Sequence, residues 1–164
     1  MLNKGAVLSA TRKYRYSLWR IWDERLPLLL IIGLNGSTAD ENTDDPTIIR
    51  GMYRAGHGGF GGLLMANLHG YRTLDPHELM RVADPVGDEN DFYLRELIGK
   101  AGLRVCAWGN YGNFMGRADI VLKMVPDPYC LGITKQGQPI HPLYVPYSQP
   151  FIKFNKEVAH FSPA

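Results

Sequence analysis

Leu28-Leu29-Leu30-Ile31-Ile32-Gly33-Leu34-Asn35-Gly36-Ser37-Thr38-Ala39-Asp40 is the stretch on which the fold turns. Its first seven residues are apolar or small, with no polar alternation, the pattern of a strand buried on both faces of a parallel sheet. The chain then becomes polar at once. Asn35-Gly36 alone would suit a hairpin turn, yet residues 37–45 are polar and no alternating strand returns. Asp45-Pro46 instead offers an N-cap and a first helical residue, and Ile48, Ile49, Met52 and Tyr53 keep helical spacing up to Gly56. A buried strand, a polar loop and a helix form the repeating unit of α/β proteins.

Working outward, the same order recurs. Residues 14–22 alternate and are rich in aromatics, and they read as an antiparallel strand ahead of the central one. Residues 62–68 form a second buried run, and Asp75-Pro76-His77-Glu78 starts a short helix reaching about Ala83. Tyr93, Leu94, Leu97 and Ile98 mark a further amphipathic helix, followed by a strand over 103–108, a helix over 113–124 and a last core strand over 129–134. Strands alternating with helices predict a three-layer α/β sandwich with a mainly parallel central sheet. We divide the chain into an N-terminal arm (1–13), one α/β domain (14–146) and an extended, proline-rich tail (147–164).

In such a sheet the strands point their carboxyl ends the same way, so loops distant in sequence converge on one edge. Four polar loops follow predicted strands: residues 33–40, 67–72, 108–112, and 134–137 running on to His141-Pro142. Function is expected on that rim.

The composition narrows the choices. With 164 residues, 45% hydrophobic and 21% charged, the chain can bury a sizeable core. A formal charge of +2 does not by itself announce nucleic-acid binding. Arg12, Lys13, Arg15 and Arg20 interleave with Tyr14, Tyr16, Trp19 and Trp22; we read them as surface charges on a half-exposed edge strand rather than a basic aromatic surface. Cys106 and Cys130 fall in inner strands as small buried hydrophobes, without the neighbours of a zinc site. The chain opens without a signal peptide, and its longest apolar run is far below the ~20 residues of a membrane span. The expectation is a cytoplasmic protein with no membrane association, no metal and no cofactor. Gly56-His57-Gly58-Gly59-Phe60-Gly61 fits a dinucleotide-binding glycine pattern on paper, but it precedes a strand where that motif must follow one.

The candidate residues sit in the loops. The 33–40 loop offers backbone amides, the Asn35 amide, the hydroxyls of Ser37 and Thr38, and the carboxylate of Asp40; such a loop can orient a polar ligand or a water. Asp44 and Asp45 suit a cap and dipole role better than catalysis. Asn67 ends an apolar strand and must find partners. Two readings stand equal there: an amide reading the edge of a nucleobase, or a buried side chain bonded to loop backbone. His141 is fixed by the following Pro142 and follows the last core strand.

The chain resembles a bacterial and phage family known as domain of unknown function 1643. The likeness rests on Tyr16-Ser17-Leu18-Trp19-Arg20, Leu34-Asn35-Gly36-Ser37-Thr38-Ala39-Asp40, Asp45-Pro46-Thr47-Ile48, Asn67-Leu68, Asp84-Pro85-Val86-Gly87, Ala107-Trp108-Gly109, and Leu131-Gly132-Ile133-Thr134 through His141-Pro142-Leu143-Tyr144. Family members usually carry proline where this chain has Gly36. More distantly, the motif order is similar to the uracil-DNA glycosylase superfamily. That likeness implies a glycosylase-like fold, with Asn35 positioning water, Asn67 reading a base and His141 stabilising charge on the departing base. Asp40 or Asp44 would assist as a base, Gly33 and Leu34 would line the base site, and Tyr53, Phe60 or Tyr71 would stack on it. Ser37, Thr38, Arg72, Asn110 and Lys135 would contact nucleic acid. Leu143-Tyr144-Val145 replaces the serine-containing, DNA-inserting loop of those enzymes. The function these likenesses imply is nucleobase recognition, with hydrolysis of an N-glycosidic bond in DNA or a modified nucleotide. The alternative is a non-catalytic module binding a nucleotide or single-stranded nucleic acid.

Overall fold

The computed structural model describes residues 1–155, so the end of the predicted tail lies outside the described residues. Its strands are β1 (Asn3–Leu8), β2 (Arg15–Ile21), β3 (Leu29–Gly36), β4 (Gly62–Arg72), β5 (Leu103–Cys106), β6 (Tyr129–Cys130) and β7 (Ile152–Lys153). The helices are α1 (Pro46–His57), α2 (Pro76–Leu79), α3 (Asn90–Lys100) and α4 (Arg117–Leu122), with 3-10 segments at Asn110–Gly116 and Pro142–Tyr144. All seven strands join one sheet in the order β1-β2-β4-β3-β5-β6-β7.

The sheet is mixed, which corrects the expectation of a mainly parallel one. β3 pairs in parallel with β4 and β5, and β5 with β6. The pairings β1–β2, β2–β4 and β6–β7 are antiparallel. A parallel neighbour requires a crossover of about a dozen residues or more. The short turn between β1 and β2 cannot supply one, and β7 folds back along β6. The parallel strands β3, β4, β5 and β6 still aim their carboxyl ends at a common edge.

Helices cover both faces because side chains alternate along the strands. Leu30 and Ile32 of β3 pack with Leu94, Leu97 and Ile98 of α3 and Val121 of α4. Leu29 and Ile31 face the other way, toward Ile48 and Ala55 of α1. α1 starts as its sequence dictates: the Asp45 side chain accepts from the Ile48 N–H at 2.9 Å, and Pro46 follows in the first turn. Cys106 and Cys130 are both free and buried, and burial pushes both thiols above their ordinary range.

Four expected elements come out differently. The helix expected to reach about Ala83 ends at Leu79. The helix expected over 113–124 is interrupted by left-handed backbone at Met115 (φ 58) and Gly116 (φ 64), leaving a 3-10 segment and then α4. The strand expected over 129–134 ends at Cys130, before Gly132 leaves the strand conformation with φ 139. The presumed arm holds β1, which pairs along β2, so β2 is an interior strand. Arg15 and Arg20 are therefore buried, contrary to their reading as surface charges.

Arg20 is wholly buried and makes five hydrogen bonds. Nε donates to Asp44 at 2.8 Å, and Nη2 donates to the carbonyls of Asp40 at 2.6 Å and Thr43 at 3.3 Å. Nη1 donates to the carbonyls of Trp19 at 2.8 Å and Gly5 at 3.3 Å. One strand side chain thus holds the polar loop before α1. Arg20→Met keeps the apolar stem but strands those carbonyls, so urea unfolding should show a loss on the order of 3 kcal/mol. A variant within 0.5 kcal/mol of the parent, roughly a neutral surface change, would show that the loop is held by other contacts.

Candidate active site

At the carboxyl end of the parallel strands lies a cleft of about 480 Å³. Asn35, Asn67 and His141 all line it, although they come from three separate segments: β3, β4 and the residue that caps the 3-10 segment at Pro142–Tyr144. Gly33, Leu34, Ser37 and Asn110 line it too. The other predicted site residues lie elsewhere. The Asp40 carboxylate accepts from the Asn42 and Thr43 N–H groups at 2.9 and 2.8 Å and faces Arg12 at 3.5 Å, which holds its pKa below the usual carboxylate range. Tyr53 stacks on His57 and Tyr147 along α1, and Phe60 packs against the core near the start of β4, at the opposite end of the sheet. The Tyr71 hydroxyl donates to Glu78 at 3.0 Å. Arg72 spends its guanidinium on the Ser37, Thr38 and Arg12 carbonyls and, with Thr38, borders a shallower neighbouring groove. Lys135 is exposed in the 134–137 turn.

The register explains the convergence. Gly33 pairs with Asn67 and Asn35 with His69, after which a bulge between Asn35 and Gly36 shifts the pairing to Arg72. A bulge re-aims the strand end, and here it coincides with the start of the loop. From the other side, Asn90 Nδ2 donates to the Asn67 and Leu68 carbonyls at 3.0 and 3.2 Å. Arg117 donates twice to the Leu68 carbonyl, at 2.9 and 3.1 Å, while pairing with Asp91 at 2.7 Å. The β4 end is clamped where Asn67 sits.

Each polar group has a defined state. Asn35 Nδ2 donates to the Gly36 and Thr73 carbonyls at 2.6 and 2.8 Å, which leaves Oδ1 as the acceptor its amide can offer. His141 Nδ1 accepts from the Leu143 N–H at 3.2 Å. A ring accepting at Nδ1 is neutral and carries its proton on Nε2. Burial lowers the His141 pKa, against a smaller opposing pull from Asp45, so the ring is a neutral donor near pH 7. Its loop is tied to α1: Arg50 Nε donates to the Pro142 carbonyl at 3.2 Å, and Arg54 donates to the Val145 and Pro146 carbonyls at 3.2 and 2.9 Å.

Several cleft residues went unassigned by sequence reasoning, among them two buried charged groups and two aromatic rings. Arg15, 2% exposed, and Asp45, 8% exposed, both line the cleft. Burial pushes the Arg15 pKa down to about 10, with Asp45 pulling the other way. Tyr111 and Tyr144 supply exposed aromatic rings at the rim, in place of the three aromatics expected there. A signal for Tyr144 existed in its position after His141-Pro142; Arg15 gave none, because nothing in residues 1–13 announced a covering strand. Among the described residues, no group of three or more His, Cys, Asp or Glu side chains could hold a metal ion, and no helix is long and apolar enough to cross a membrane.

Fold and cleft together define a mixed α/β protein with a cleft of apolar and polar side chains at the carboxyl ends of its parallel strands. The chain belongs to the family described as protein of unknown function (DUF1643), which matches residues 15–143 and so takes in every residue of the cleft except Tyr144. No curated protein and no solved structure matches it.

Beside the cleft, His69 is wholly buried with no hydrogen bond to either ring nitrogen, its ring 5.6 Å from Phe114. Burial, with a smaller push from Arg117, takes its pKa down to about 4. Between that value and the unfolded value of about 6.5, the unfolded chain binds more protons than the folded one. Stability is therefore full above about pH 6.5 and falls as pH drops toward 4, by an amount on the order of 3 kcal/mol from this group. His69→Phe should flatten denaturant stability across that window without lowering it at pH 7. An equally steep decline in the variant would assign the acid sensitivity to other groups.

Proposed function

We propose that the cleft binds a nucleobase, either turned out of DNA or carried on a modified nucleotide, and hydrolyses its N-glycosidic bond. The observation that carries this reading is the meeting of Asn35, Asn67 and His141 in one cleft. Nδ2 of Asn67 is a donor for the base edge, and the rim tyrosines Tyr111 and Tyr144 are exposed faces for stacking. Asn35 Oδ1 accepts a hydrogen bond from the attacking water. As the C1′–N bond breaks, its electron pair leaves on the base, and the neutral His141 donates from Nε2 to the charge that builds there. The water oxygen bonds to C1′ and its proton passes to a carboxylate. Asp45 fits that role better than Asp40, since it lines the cleft and Asp40 is committed to its own loop.

A second reading, a non-catalytic module for a nucleotide or single-stranded nucleic acid, is favoured by the engagement of Asp45 as the α1 cap, which weakens it as a base. The two separate by mass spectrometry of oligonucleotides bearing varied modified bases after incubation with the protein. Glycosidic hydrolysis predicts free base and an abasic product, with His141→Ala lowering turnover by about 10²–10³-fold while the fold persists. Binding without any product leaves the module reading, and a steep loss of affinity with salt would then mark phosphate contacts. Asn67→Asp should lose base affinity with the donors it removes; one new carboxylate oxygen would face Arg15 and the other the Asn35 and Ala66 carbonyls, so a thermal melt on the same sample should show a lower but cooperative transition. A protein that binds no base, nucleotide or oligonucleotide sinks both readings.

A further inference from the structure

We propose that Arg15 is a positioning residue that fixes which end of the Asn67 amide the cleft presents to a ligand. The inference rests on the reading of Asn67 as the group that meets the base. In its hydrogen-bonding orientation, Asn67 Oδ1 accepts from Arg15 Nη2 at 3.3 Å, and Nδ2 donates to the Asn35 and Ala66 carbonyls at 3.2 Å each. A guanidinium has only donors, so the amide end facing it must be the oxygen. Inverting the amide would set its NH2 against Nη2 and its oxygen against two carbonyls, so the guanidinium and the two carbonyls favour the same orientation.

Arg15 is suited to this task because it cannot move away. Nη1 donates to the Ala39 carbonyl at 2.9 Å, in the loop that Arg20 holds, and Arg15 is 2% exposed. Nε is buried with no partner, and among the described residues no carboxylate lies within hydrogen-bond range of Arg15; Asp45 acts on it through its charge. Its donors are therefore directed at carbonyl-type oxygens, one on Ala39 and one on Asn67. Gly33 completes the arrangement. A Cβ there would lie 2.8 Å from the Asn67 amide terminus that carries Nδ2 in this orientation and 2.9 Å from Met65 Cε, so glycine keeps a side chain from pressing on that terminus.

The consequence is a directional pocket. The two bonds from Nδ2 to backbone are long for N–H···O, so a ligand acceptor approaching over Gly33 can take one of them. A ligand amine at the same place would set donor against donor. Arg15 thereby makes the cleft favour a ring carbonyl over an exocyclic amine, through Asn67 and without touching the ligand.

The test begins with the folded parent protein. The Asn67 side-chain NH2 pair is assigned in ¹⁵N NMR by its disappearance in Asn67→Asp, and its proton contacts are then read. Nuclear Overhauser contacts from that NH2 to the Gly33 Hα are expected; contacts to the Arg15 guanidinium protons instead would mean the opposite orientation and overturn the proposal without any variant. In Arg15→Met the contacts to Gly33 should weaken, while Arg15→Lys, which keeps a cationic donor, should retain part of them. Binding of uridine and cytidine monophosphates is measured on the same samples. The parent should prefer the uridine nucleotide by about tenfold, and Arg15→Met should narrow that preference while affinity for the cytidine nucleotide holds or rises. An unchanged preference in a folded Arg15→Met overturns the positioning role. A parent with the expected NH2 contacts that binds neither nucleotide overturns the nucleobase reading and leaves the amide lock standing.

Discussion

A buried guanidinium with no solvent is the constraint on which the upper half of this molecule depends. Arg20 lies inside the sheet layer because β1 covers β2, and once there its donors must be met by oxygen. The loop before α1 meets them with its own backbone carbonyls and with Asp44. The loop is thus the counterpart that burial of a strand arginine demands. Its fixed path sets the start of α1 at Asp45, and with it one wall of the cleft.

The same device recurs along the structure. Arg15 reaches the Ala39 carbonyl, Arg72 the Ser37 and Thr38 carbonyls, Arg50 and Arg54 the carbonyls of residues 142–149, and Arg117 the Leu68 carbonyl. Irregular backbone that a sheet or helix would satisfy internally is satisfied here by arginine side chains. Each guanidinium can hold several carbonyls in a plane, which suits loops that must keep one shape without regular structure. Tyr147 lies under two of these cations, with the Arg50 and Arg54 guanidinium carbons 4.2 and 5.6 Å from its ring centre. The His141 loop is consequently fastened to α1, and α1 to the 37–45 loop.

The sequence carried the strand-loop-helix order around 28–57 because burial on both faces leaves a continuous apolar run, and because Asp45-Pro46 is a local signal. It carried the cleft members Asn35 and Asn67 for the same reason, since each closes a continuous apolar run, and His141 by the proline that follows it. Strand direction was legible only in part. Residues 14–22 read as antiparallel, as β2 is to β4, whereas the antiparallel edge strands β1 and β7 depend on pairing between distant segments, which local periodicity does not encode. The arginines were misread by the same route, since Arg15 and Arg20 look like surface charges until β1 is known to cover them. Tyr53, Phe60 and Tyr71 were grouped by residue type, and only the register shows that they lie away from the cleft.

The two inner-strand cysteines turn the core into a clock. Cys106 lies on β5 and Cys130 on β6, adjacent parallel strands, both fully shielded from water and both with thiols held in their protonated form by burial. A thiol-specific reagent reacts with the thiolate and needs access, so labelling in the native protein waits for these strands to part. The speed of modification thereby reads how often the centre of the sheet opens, while the cleft at its edge can bend, bind and release without registering.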